Sequence, residues 1–189
     1  MILTASSDLD AVNEILAAVG ESPVNTLENP TNVDVISAIR ILNRVNRMEQ
    51  GRDWSFNLVP SLTLNPDVFT KKIKWADSYL RLRGANGEIY MKRGGQLFDF
   101  TNQTDKFEDS ITVEAILLFP FDEMPEALRT YIIAKAAKEF QTSFLGDPNL
   151  SQELHMKEQE AWARLQEYEI DMTQPNLLQS QAVQTIRRR

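Results

Sequence analysis

Apolar residues in this chain change their spacing twice, from helical to alternating and back to helical, and that double change limits the folds open to it. Leu9, Val12, Ile15, Leu16 and Val19 recur at helical spacing. Ser7 and Asp10 form a capping-box-like start, and Gly20 supplies a stop before Pro23. A second helix is expected from near Thr31, whose spacing to Asp34 suits a cap. It carries Ala38, Ile41, Leu42, Val45 and Met48 on one face until Gly51. Both helices need partners to bury that face.

Between Trp54 and about Phe119 the pattern becomes that of strands. Trp54, Phe56 and Leu58 alternate, as do Ile111, Val113, Ala115 and Leu117, and β-branched and aromatic residues are frequent. Glu88 to Arg93 and Gln96 to Phe100 flank Gly94-Gly95, a pair that tolerates the positive φ of a two-residue turn, so a projecting hairpin is expected.

Helical spacing returns after Pro125. Leu128, Ile132, Ala136, Phe140 and Phe144 repeat every four residues until Gly146, and Tyr131, Ile133 and Ala137 widen the stripe, which predicts the most buried helix. Asp147-Pro148 then reads as cap and first residue of a fourth helix. Leu154, Ala161, Leu165, Tyr168 and Met172 share one of its faces, and its outer face is acidic. Residues 173–189 show no sustained periodicity and are expected to form a flexible tail.

Runs of one element type, without βα alternation, argue an α+β fold. The expected architecture is an antiparallel helical bundle from both chain ends, residues 1–51 and 122–172, around an inserted β subdomain, 52–121, with the tail at 173–189. A chain of 189 residues buries about 70% of its unfolded surface and can support this core without staples. It has no cysteine, so disulfides and thiolate metal sites are excluded. No apolar run is long enough to cross a bilayer and no N-terminal signal pattern stands out, so a soluble chain without membrane insertion is expected.

The net charge of -7 is unevenly distributed. Residues 66–98 carry Lys71, Lys72, Lys74, Arg81, Arg83, Lys92 and Arg93 against Asp67, Asp77 and Glu88, a net of +4, and the last three residues add +3. The remainder therefore sums to -14. Such segregation suits either plain solvation or head-to-tail contact between identical subunits.

Catalytic chemistry finds little footing. The single histidine, His155, has no cysteine to join in a zinc set or nucleophile pair. Gly84, Gly87, Gly94 and Gly95 lack phosphate-loop spacing and read as turn residues. Acidic pairs such as Asp122-Glu123 or Glu167-Glu169 carry little weight in so acidic a chain, and the former sits where a helix dipole favours negative charge. Arg40, Arg44 and Arg47 share one face of the second helix. They suit pairing within or between subunits, a solvated face, or phosphate contact. Aromatics in 54–100, interspersed with Lys and Arg, read as core before they read as a stacking platform.

Several stretches carry a resemblance when taken in order: LDAVNEILAAVGESPVNTLE, RILNRVNR, GRDWSFN, LNPDV, SYLRL, IYMKRGGQLFDFTNQTDKF, ITVEAILLFPFDEMPEALRTYIIAKAAKEF and YEIDM. Over roughly residues 8 to 172 the chain resembles the tail tubular protein A family, head-to-tail adaptors of T-seven-like (autographivirus) short-tailed phages. These are not catalytic motifs; their number and order make the likeness specific. The resemblance implies a structural virion protein without cofactor: a ring of twelve subunits beneath a dodecameric portal, with the nozzle, tail tubular protein B, attached below and tail fibres around the junction. DNA passes through such a channel without specific binding. A tail-associated glycan hydrolase and a stand-alone nucleic-acid-binding module are the alternatives.

Site expectations follow. The turn residues Lys92, Arg93, Gly94 and Gly95 are candidates for nozzle or fibre contact. Leu177, Leu178, Val183, Ile186, Arg187, Arg188 and Arg189 are candidates for portal or intersubunit contact. Glu158 and Glu167 are candidates for an acidic channel lumen.

Overall fold

A computed structural model of the chain describes residues 7–173. In chain order the elements are α1 (Asp8–Ala17), α2 (Val33–Gln50), β1 (Leu58–Leu64), β2 (Tyr79–Gly84), β3 (Ile89–Arg93), β4 (Gln96–Asp99), β5 (Ile111–Leu117), a short 3-10 turn (Phe121–Glu123), α3 (Glu126–Phe144) and α4 (Pro148–Thr173). With its helices and an antiparallel sheet, the chain is α+β, the class its periodicities predict.

Local chemistry sets the helix ends. The Ser7 hydroxyl accepts from the Asp10 amide while the Asp10 carboxylate accepts from the Ser7 amide, a complete capping box on α1. Gly20, at φ 81°, closes the same helix in a left-handed conformation. On α2 the cap is Asn32, one residue beyond the expected Thr31: its side chain accepts from the Asp34 amide at 2.7 Å. Asp147 caps α4 by accepting from the Asn149 and Leu150 amides.

The sheet runs in the order β1-β5-β2-β3-β4, so the last strand in sequence lies between the first two. Pro60 has no N–H to give a ladder, and it falls on edge strand β1 where the β1–β5 register shifts, between Val59 and Leu62. Segment 54–57 departs from the expected strand. It is a tight turn, with the Asn57 and Leu58 amides both reaching the Trp54 carbonyl. Trp54 packs edge-on to Trp162 of α4, and Phe56 packs against Phe119. The helical core needed these rings more than the sheet did.

Two apolar clusters form. One joins all four helices through Ile15, Leu42, Val45, Ile132, Phe140 and Leu165. The other lies on the sheet and includes Ile73, Trp75, Leu82, Leu97 and Val113. α3 is the most buried helix, and its stripe is inward except at Phe144, which is exposed near the C-terminus. Met48 and Met172, expected on apolar faces, are also exposed.

Polar side chains join the helices to the sheet where the chain crosses between them. Gln50 ends α2 fully buried, bonded both ways to the backbone of Phe119. Asn57 donates to the carbonyls of Gln50 and Leu117. Glu169 of α4 accepts from the Ser55 amide and hydroxyl.

Candidate functional site

The β3–β4 turn has the expected geometry. Arg93 pairs with Gln96, and Gly94 and Gly95 take φ of 57° and 77°, both in the left-handed region that a two-residue turn of this kind demands. It does not project freely, however. The Trp75 amide donates to the Gly95 carbonyl and the Leu97 amide to the Ile73 carbonyl, so segment 73–75 covers the outer edge of β4. The Arg93 guanidinium lies 3.8 Å from the Phe98 ring centroid, and Lys92 reaches Asp77 at 3.1 Å. An exposed but braced basic turn results.

The basic stretch 66–98 is largely neutralised by the fold. Lys71 pairs with Glu108, Lys72 with Asp105, Arg81 with Asp53 and Lys92 with Asp77. Three of those four acids lie outside the stretch, which is why counting charge along the sequence overstated its positive surface.

A loop that the periodicities did not mark stands out nearby. The Asp67 carboxylate accepts from the Thr70 amide and hydroxyl and from the Phe69 amide, and these bonds hold its pKa below the usual carboxylate range. The cradle lifts Val68 and Phe69 into solvent, Phe69 with 94% of its surface exposed. The detectable signal was an Asp three residues before a Thr with apolar residues between them.

The two acids expected at a lumen are in different settings. Glu158 is turned into the α3–α4 seam, buried, with its carboxylate 2.6 Å from Lys138 Nζ and 3.5 Å from His155 Nδ1. Glu167 is exposed. The portal or intersubunit candidates Leu177, Leu178, Val183, Ile186, Arg187, Arg188 and Arg189 lie outside the described residues.

Of the α2 arginines, Arg44 meets Glu139 of α3 at 2.5 Å, while Arg40 and Arg47 are exposed with no ion pair among the described residues. A groove of about 370 Å³ lies between α1, α3 and α4. It is lined by Ala17, Ile133, Ala134 and Ala137 together with the charged Glu14, Lys157, Glu160 and Arg164.

Burial, with the Asp122 charge adding, raises the Asp8 pKa, but neither acid lines that groove. Glu169, half of another acidic pair, is spent on Ser55. No helix among the described residues is long and apolar enough to cross a membrane, and no acidic or histidine cluster among them could hold a metal ion.

Comparison with known proteins finds relatives among phage tail proteins. Tail tubular protein A of Klebsiella phage KP34 is 30% identical over 120 residues, which is 63% of this chain and 63% of that protein. The match thus spans less than two thirds of that relative's length. A family model described as tail tubular protein matches residues 9–175, that is, nearly every described residue. The chain belongs to the tail tubular protein family, structural proteins of phage tails.

Proposed function

We propose that the chain is the head-to-tail adaptor subunit of a short phage tail, repeated as a ring of twelve that joins the portal to the nozzle and forms part of the DNA ejection channel. One observation carries this reading: the family match runs through all four helices and the whole sheet, so the shared feature is the entire structural body. Glu169, held by the Ser55 amide and hydroxyl, fits the same role.

Within it, the helical part (1–51 and 122–172) and the sheet insert (52–121) act as separate contact units. The turn at Lys92, Arg93, Gly94 and Gly95 faces the nozzle or fibres. The segment with Leu177, Leu178, Val183, Ile186 and Arg187 to Arg189 lies on the portal or a neighbouring subunit. The channel wall is net negative, because an acidic wall repels phosphates over about 8 Å at physiological salt. Glu158, paired with Lys138, and the exposed Glu167 are the candidate acids for that wall.

The test is assembly. Mixed with portal rings and weighed by native mass spectrometry, the chain should load at one copy per portal chain. No binding, or a stoichiometry far from one to one, rejects the adaptor reading.

A further inference from the structure

Two lines of unpaired charge, opposite in sign, run along helices that both pack on α3 and share little contact with each other. On α2 the buried residues Val35, Ala38, Leu42 and Val45 define the inward side. The opposite line holds Val33, Ile36, Arg40 and Arg47, all exposed. Neither arginine has a hydrogen-bond or ion-pair partner among the described residues.

On α4 the inward side is Leu154, Ala161 and Leu165. Its exposed side shows two parallel lines with a seven-residue repeat: Met156, Ala163 and Ile170 in one, Glu153, Glu160 and Glu167 in the other. Glu153 is tied to Lys157, whereas Glu160 and Glu167 have no partner among the described residues. An apolar line repeating every seven residues beside a line of acids is what a helix offers to a partner helix.

The pitches match. Seven residues of helix advance about 10.5 Å, so Arg40 to Arg47 spans the same rise as Glu160 to Glu167.

We propose that α2 of one copy packs across the outer face of α4 of a second copy, with Arg40 and Arg47 against Glu160 and Glu167. Val33 and Ile36 then cover part of the Met156–Ala163–Ile170 line. Two different faces meet, so the contact is heterologous, and its repetition generates a ring when the rotation closes. The occupant is a second copy because this one chain supplies both signs of charge, the common pitch and apolar residues on both sides. The inference rests on the ring reading and adds which faces meet. It places Glu167 in the seam between copies instead of on the channel wall.

Two full-length variants test it, R40E/R47E and E160R/E167R. All four positions are exposed and unpaired, so both variants should melt at the wild-type temperature. Each alone should assemble on portal rings at least about tenfold more weakly, because a like-charged seam replaces an opposite one. An equal mixture should regain wild-type assembly as rings in which the variants alternate, and a chain carrying all four substitutions should regain it alone. Either variant assembling as tightly as wild type, or a mixture no better than its parts, overturns the inference while the ring reading stands. A wild-type chain that neither self-associates nor loads onto portal rings overturns both.

Discussion

Gln50 and Phe119 grip each other at both ends of an amide: Gln50 Nε2 donates to the Phe119 carbonyl at 3.0 Å, and the Phe119 amide donates to Gln50 Oε1 at 2.8 Å. One side chain at the end of α2 thereby satisfies the backbone where the chain leaves the sheet for α3. A glutamine here imitates a strand partner, and it leaves neither group of Phe119 orphaned at a crossing that water reaches poorly.

Gln50→Leu should therefore cost about 2 to 4 kcal/mol, since it strands a backbone donor and an acceptor together. Equilibrium urea unfolding measures it. A loss under about 0.5 kcal/mol, the size of an ordinary surface change, would show that solvent replaces the amide freely.

A second prediction concerns alkaline pH. Glu49 is fully buried, 2.7 Å from Lys135 Nζ, with Arg52 at 3.1 Å. Desolvation opposes the charge on Lys135, but the hydrogen bond and charge of Glu49 outweigh it, so its pKa stands above the ordinary lysine value. A raised folded pKa on a base means stability that is present at neutral pH and lost as pH climbs through that raised value. Tyr131 acts in the same direction: burial, then Glu49, raises its phenol, and the unfolded chain ionises first. Unfolding free energy should fall steeply above about pH 10, and Lys135→Met should be weaker at pH 7 with a shallower alkaline slope. Equal slopes in the two proteins would contradict this.

Helix ends were legible in the sequence because capping is a matter of three or four consecutive residues, as at Ser7–Asp10 and Asp147. Thr31 lost the α2 cap to its neighbour Asn32 because both carry a suitable oxygen and only the chain's entry angle chooses. What depended on distant partners was not legible. Trp54 and Phe56 alternate like strand residues, yet the rings they pack against come from α4 and from Phe119, far along the chain. Likewise, the positive stretch owes its neutralisation to Asp53, Asp105 and Glu108 beyond its ends. Nor does the sequence show that Glu158 meets Lys138, twenty residues earlier on another helix.

At the β3–β4 turn, shape and charge can be separated. Lys92→Glu with Arg93→Glu removes the contacts to Asp77 and the Phe98 ring, both near the surface, and should cost under about 1 kcal/mol of stability. If the turn meets the nozzle or fibres, their attachment should weaken at least tenfold while portal loading is unchanged, because reversed rim charge mainly alters association. Pull-downs with each partner separate the two effects. Equal loss of both, or of neither, argues against the assignment.

The last prediction concerns the residues beyond α4. Among the described residues, the last hydrogen bond from the rest of the fold to that helix is at Glu169, which accepts from Ser55, and within the helix the Glu169 carbonyl accepts from the Thr173 hydroxyl at 2.7 Å. Everything after Thr173 is free of acidic residues, ends in Arg187, Arg188 and Arg189, and offers Leu177, Leu178, Val183 and Ile186 as scattered apolar anchors. If these residues dock on a partner, they bring it apolar contacts and three cations together. A chain ending at Thr173 keeps the Glu169 contacts, so its melting temperature should match that of the full chain. Portal attachment, by contrast, should weaken and lose part of its salt dependence, because three cations leave the interface. Titrating both chains onto portal rings at low and high salt decides it. If the shortened chain binds as tightly and with the same salt dependence, these residues are not a docking arm.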